Sequence, residues 1–301
     1  MRITSDGALH LFWSEGPNSQ LPTGWPTTFN AVWHASYAAG KWTPAERVIR
    51  GTWLNWDSHA PQVIVDDRGR LHMLISVADS GRAEEVYHLL RDRDGWHRAG
   101  TGMYGLYPAL AHISGGQLVM ALVMYDGNGK SSGLYTRTST DYGSTWNQRV
   151  RVLPTTDTTA VYHPQLRFVR DTLYLGWTSV RKEGDIWRLS KRGMRTVADT
   201  EAWLPPVSSA PMEGRIVNAM FAVHGCGDVR ALAEIFTGRM NQVRVIHVHE
   251  SQAAIEKAFG DEFIMAPHTE QTSDRVIQIW NAVLPRTDSL RPFFREYATC
   301  R

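Results

Sequence analysis

Cysteine is scarce: Cys226 and Cys300 are the two in a chain of 301 residues. No C-x-x-C pair or dense Cys/His spacing occurs, so the common structural zinc sites are set aside. A disulfide would need a fold that brings the two Cα atoms within about 7 Å. A surplus of either charge is also missing, with 32 Lys+Arg against 30 Asp+Glu. A dedicated nucleic-acid binder normally carries a clear basic excess, so no nucleic-acid partner is expected. No apolar run approaches the ~20 residues needed to cross a bilayer as a helix. Residues 1–7 lack the apolar stretch of a signal peptide. The chain as given reads as soluble, with no membrane partner and no assigned compartment.

What is present is a large apolar fraction, 43%, with twelve tryptophans and 25 glycines. Such a chain can bury a sizeable core, and its length suits two domains or one large all-β domain. Four segments share one design. They begin at Pro61 (PQVIVDDRGRLHMLISV), Pro108 (PALAHISGGQLVMALV), Pro164 (PQLRFVRDTLYLGWTSV) and Ala219 (AMFAVHGCGDVRALAEI), at spacings of 108 − 61 = 47, 164 − 108 = 56 and 219 − 164 = 55. Each reads as an apolar strand, a polar turn and a second apolar strand. Turns such as Asp66-Asp67-Arg68-Gly69 and Ser114-Gly115-Gly116 have hairpin chemistry. Counting second strands gives six, near Leu9, Leu71, Leu118, Leu173, Val229 and Val276.

A glycine-tryptophan turn follows in several units: Gly40-Lys41-Trp42, Asp94-Gly95-Trp96 and Ser139-Thr140-Asp141-Tyr142-Gly143-Ser144-Thr145-Trp146. The last matches S-x-D-x-G-x-T-W, the Asp-box. Its carboxylate can accept backbone N–H bonds, its glycine supplies a positive φ, and its tryptophan can wedge between sheets. On these motifs and the period of about fifty residues, the sequence resembles the BNR/Asp-box β-propellers, the superfamily of the sialidases and related carbohydrate-active enzymes. The resemblance implies an all-β, six-bladed propeller of four-stranded antiparallel sheets, five blades being the alternative, in one domain spanning 1–301. One short helix is expected over residues 251–259, with Ser251 as N-cap and Gly260 after its end.

In such a fold the first strand of each blade lines a central channel, so the residues that open it are the candidate site. The aligned positions are Ala60, Tyr107, His163 and Asn218, with His59, Tyr162 and Val217 one step earlier. Side chains that donate, accept or transfer protons are over-supplied there. Trp53, Trp56 and Asp57 lie in the loop before His59, where indoles could stack on sugar faces. Glu213 and Arg215 precede the fifth unit, and an Arg fork matches a carboxylate.

Three functions fit. A sialidase-like glycosidase would use Asp57 and Glu213 as its carboxylate pair, with a tyrosine nucleophile. A uronate-polysaccharide lyase would move protons with His59, His163 and Tyr107, and hold the acid with Arg215 and Asn218. Trp53, Trp56 and Tyr162 would contact the sugar in either case. A non-catalytic glycan- or protein-binding propeller is the third. The expected partner is a carbohydrate, acidic in character. No metal or cofactor is called for, because Asp66-Asp67 and Asp126-Gly127-Asn128 read as solvated turns.

Overall fold

The computed structural model describes residues 2–4, 6–15, 28–55, 62–78, 85–125, 131–154, 160–199, 202–224, 227–237, 241–249, 252–257, 263–271, 275–283 and 290–298. They form antiparallel strands throughout, divided between two compact units. The first comprises Met1–Pro154 with Arg195–Ala198, the second Thr155–Met194 with Asp199–Arg301.

The first unit opens with a nine-stranded sheet built from β1 (Arg2–Ile3), β2 (Leu9–Glu15), β3 (Thr28–Ala38), β4 (Lys41–Trp42), β5 (Glu46–Asn55), β6 (Val63–Val65), β7 (Leu71–Ala78), β8 (Glu85–Asp92) and β9 (Gly95–Tyr104). Two sequence repeats are fused here, because β5 pairs with β7 through Trp53 to Ala78 and Leu54 to Val77. A four-stranded sheet follows: β10 (Leu106–His112), β11 (Leu118–Tyr125), β12 (Ser131–Ser139) and β13 (Val150–Pro154), in chain order.

The second unit holds two more four-stranded sheets. One is β14 (Ala160–Val169), β15 (Thr172–Val180), β16 (Ile186–Gly193) and β17 (Val207–Ser208). The other is β18 (Arg215–Val223), β19 (Val229–Phe236), β20 (Asn241–His249) and β21 (Gln252–Lys257). A three-stranded sheet closes the chain, β22 (Phe263–Gln271), β23 (Arg275–Val283) and β24 (Leu290–Ala298).

The helix expected over residues 251–259 is instead the edge strand β21, paired with β20 from His249 and Gln252 to Arg244 and Lys257. An isolated helix of this length is marginal in water. The open edge of β20 offers the same residues a full ladder of backbone partners, and the edge wins.

Apolar faces of neighbouring sheets interlock within each unit. In the first, Ile64, Leu74 and Val86 pack against Leu110, Leu118, Met120 and Leu122, with Trp146 laid against them. In the second, Trp187 and Leu189 meet Ile216, Ala219 and Phe221, the Trp187 and Phe221 rings crossing edge-on at 5.9 Å. Gly176 faces that pair, and a Cβ there would lie 2.9 Å from Phe221. Each of these side chains contributes on the order of 1.5–3 kcal/mol by leaving water.

One hairpin recurs between first and second strands. Its paired backbone bonds are Thr4 N to Ala8 O with Gly7 N to Thr4 O, and Asp66 N to Arg70 O with Gly69 N to Asp66 O. The same pattern holds at His224 and Asp228, while Ile113 N to Gln117 O repeats the first bond and Gln117 N to Ser114 O replaces the second. Asp66 is therefore not a solvated turn residue. Its buried carboxylate accepts the amides of Arg68 at 2.9 Å and Arg70 at 2.8 Å, and meets the Arg70 guanidinium and His72 Nε2 at 2.8 and 3.0 Å. These donors hold it well below the usual carboxylate range against the opposing effect of burial. Residues 126–128 lie outside the described residues.

Two buried histidine pairs hang from these turns. His72 Nδ1 lies 2.9 Å from His88 Nε2, the rings stacked at 5.1 Å. His10 Nδ1 lies 2.8 Å from His34 Nε2, also stacked at 5.1 Å, and His34 Nδ1 meets Glu46 at 2.7 Å. Burial pushes His10 down to about 4 and His88 down to about 3, with the neighbouring imidazole adding to both.

The Asp141 turn has the bonds expected of it. Asp141 accepts Thr145 N at 2.8 Å, Thr145 Oγ1 at 2.6 Å and Ser139 Oγ at 2.7 Å, and Gly143 sits at φ 84°. Trp96 and Trp146 wedge against core clusters as predicted. Trp42 does not: it is 50% exposed and touches Tyr37 at 5.2 Å. Trp13, on β2, is 38% exposed. Cys226 and Cys300 lie outside the described residues.

Candidate functional site

The first strand of a sheet is interrupted by the same irregularity four times. Register slips by one residue between Leu106 and Ala109, Tyr162 and Gln165, Ile216 and Asn218, and Met265 and His268. A bulge of this kind re-aims side chains that a regular ladder would direct alternately up and down. In β10 and β14 the bulged residue is Tyr107 and His163, and each precedes a proline. Both adopt positive φ, 54° and 51°. A residue before proline is normally pushed to extended backbone, and a non-glycine residue at positive φ is uncommon. Strain of about 1–3 kcal/mol persists where the surroundings over-determine it, and such residues cluster at functional sites.

Around His163 the second unit assembles a polar group. Tyr162 and His163 are half-buried, their rings 6.1 Å apart. The exposed guanidinium of Arg215, at the start of β18, lies 5.9 Å from the centre of the Tyr162 ring. Glu213 is exposed in the turn just before it. Asn218 sits deeper than the sequence alignment placed it. It is the first paired residue after the bulge, matching Gln165 rather than His163, and it is buried opposite Glu234.

Asp185 joins this group without having been singled out. It ends the turn after β15, whose last residue Val180 pairs with Ala160 at the start of β14, so the turn lies at the His163 end of the sheet. Its carboxylate is buried and accepts Ile216 N at 2.8 Å. Burial raises its carboxyl above the usual range, opposed by that amide and by the charge of Arg215.

Of the other predicted residues, Tyr107 occupies the bulge of β10 in the first unit, where it is buried. Trp56, Asp57 and His59 lie outside the described residues, as does the side chain of Trp53. Also missed was the glutamine after the proline. Gln62 Oε1 accepts Leu110 N at 2.7 Å and Gln165 Oε1 accepts Phe221 N at 3.2 Å, each clipping its strand to the first strand of the next sheet. The repeated Pro-Gln pair was the available signal. Among the described residues no cluster of metal-ligating side chains occurs.

The sequence matches no protein-family profile and no curated protein. Solved structures do resemble it. An ulvan lyase of polysaccharide lyase family PL25, bound to -[GlcA(1-4)Rha3S]-, shares 13% identity at a TM-score of 0.59 over 93% of this chain and 78% of that one. The polysaccharide lyase Uly1 shares 8% at 0.59, over 99% and 76%. An α-L-arabinanase of Penicillium chrysogenum complexed with arabinobiose shares 13% at 0.51, over 74% and 76%. At these identities the likeness concerns the fold, which is the all-β propeller class of antiparallel sheets.

Proposed function

We propose that this chain is a carbohydrate-active enzyme of the sialidase-like BNR propeller type that cleaves an acidic glycan, and that it does so by elimination at a uronate. One observation carries the choice: a strained, half-buried His163 beside Tyr162, with the Arg215 guanidinium over the Tyr162 ring. A base, a phenol and a fixed cation are what proton abstraction next to a carboxylate requires. His163 takes the C5 proton while Arg215 neutralises the uronate carboxylate. The C4–O bond then breaks, the C4=C5 double bond forms, and the leaving oxygen is protonated. Tyr107 and His59 are further proton-transfer candidates from their aligned positions, and Asn218 a hydroxyl-binding one. Trp53, Trp56 and Tyr162 are proposed to contact the sugar.

The ulvan lyase, whose bound ligand contains GlcA, has a fold of this kind and so does the arabinanase, and the choice of elimination rests on His163, Tyr162 and Arg215. Hydrolysis would instead use Asp57 and Glu213 as its carboxylates. Six blades in one domain remain part of the proposal, from the six first strands β1, β6, β10, β14, β18 and β22. The test is a panel of uronate- and sialate-containing polysaccharides, followed by reducing ends and by ultraviolet absorbance of the unsaturated uronate. Elimination gives both signals and hydrolysis gives reducing ends alone. Neither signal on any acidic glycan would leave a binding protein.

A further inference from the structure

The turn that carries Arg215 is anchored twice, and both anchors belong to one residue. The Asp185 backbone carbonyl accepts Met212 N at 2.9 Å, and its side-chain Oδ2 accepts Ile216 N at 2.8 Å. Between them stand Glu213, Gly214 and Arg215. The turn has little freedom elsewhere. Gly184, at φ 127°, lies so close to the Met212 carbonyl that a Cβ could not be placed there. Gly214, at φ 111°, backs onto the Phe236 carbonyl, where a Cβ would stand 2.6 Å away.

The acceptor is also a carboxyl where an uncharged side chain would do. Asp185 is 3% exposed, and a buried carboxylate carries a desolvation penalty that an asparagine or serine acceptor would avoid. Arg215 stands at the end of the clasped turn, next to the amide that the Asp185 carboxyl holds, and its charge favours the ionised carboxyl. A backbone clasp alone gives no reason for a carboxyl there. Orienting a guanidinium does, because opposite charge and directed acceptors restrict a long, rotamer-rich side chain.

We propose that Asp185 is a positioning residue of this site, holding the 212–216 turn and its counter-charge so that Arg215 stays over Tyr162 to receive the substrate carboxylate. The inference rests on the elimination reading above and adds a residue to it. Asp185 does not touch substrate in this scheme; it acts through Arg215.

The test compares D185N, which keeps an acceptor for Ile216 but removes the charge, with R215A and the double variant, on the polysaccharide that the wild type cleaves. D185N is expected to raise KM about ten-fold, with kcat changed less than about three-fold and Tm within a few degrees. In the R215A background the same substitution should add almost nothing, since both changes remove one function. Unchanged or lowered KM in D185N would overturn the proposal, because a mere clasp survives in asparagine. Additive effects of D185N and R215A would overturn it as well. D185S serves as a second neutral variant, and if neither folds, Asp185 is structural and the proposal falls. A wild type that neither cleaves nor binds any acidic glycan would instead sink the proposed function itself, and this inference with it.

Discussion

His163 holds a positive φ ahead of a proline, and two properties can therefore be separated at one position. Glycine tolerates that backbone, so H163G should leave stability unchanged or raise it by up to about 1 kcal/mol. It should also lower turnover by about 10²-fold or more, the loss of a general base. H163A keeps the strain and loses the base, and should be the less stable of the two. Thermal melts and steady-state rates on the two variants check this; a wild-type rate in either would remove His163 from the reaction. For Arg215 the contact argues for a forked cation. R215K should raise KM by about ten-fold, because an ammonium keeps the charge but not the bidentate geometry, and KM close to wild type would reassign the anion site.

Strands in this protein are tied to neighbouring sheets by side chains as well as by packing. Gln165 reaches from β14 to the amide of Phe221 in β18, a part-buried contact beside the Trp187 and Phe221 pair. Q165L should leave that N–H without its acceptor and lower unfolding free energy by about 1–3 kcal/mol. Chemical denaturation measures it, and a shift within about 0.5 kcal/mol would show the clip to be idle. Much at this scale was legible in the letters. The repeats, their hairpins and the Asp141 turn follow from local chemistry, since Asp, Gly and alternating apolar residues act on their immediate neighbours. What escaped depends on register. His10 pairs in the ladder with Ser36 but hydrogen-bonds diagonally to His34, and His72 pairs with Leu90 but bonds to His88. No spacing in the sequence announces such diagonals. The one-residue bulge likewise moved Asn218 out of line with His163, and the edge of β20 overrode the helical character of residues 252–257. The candidate site was half legible: Tyr162, His163 and Arg215 were read from the sequence and lie near one another, while Asp185 enters through a turn whose position depends on the pairing of β15.

Taken over the whole molecule, the buried imidazoles tie stability to pH. His10 and His88 titrate in the fold near 4 and 3, below the ordinary histidine value of 6.5. Between those values and 6.5 the unfolded chain binds protons that the folded one refuses. Their contribution is thus complete above pH ~6.5 and is lost progressively as pH falls towards 4 and 3. Asp66, depressed below the ordinary 3.8, adds a loss in the same direction at the acid end of that range. Melting temperature should therefore fall steadily from pH 7 to pH 4, and a flat or rising profile would mean that the imidazoles are not held neutral.

The sheets that open with β10 and β18 keep a stabilising hairpin and a bulge at opposite ends of that first strand, as Ile113 and Tyr107 do in β10. The hairpin is fixed by backbone bonds that Thr4, Asp66 and His224 satisfy equally well, and Ile113 in part, so very different sequences are acceptable there. The bulge end is free to change its chemistry without touching those bonds. Such a layout lets descendants of one scaffold exchange substrates while retaining architecture, and lets relatives drift until little but the architecture connects them.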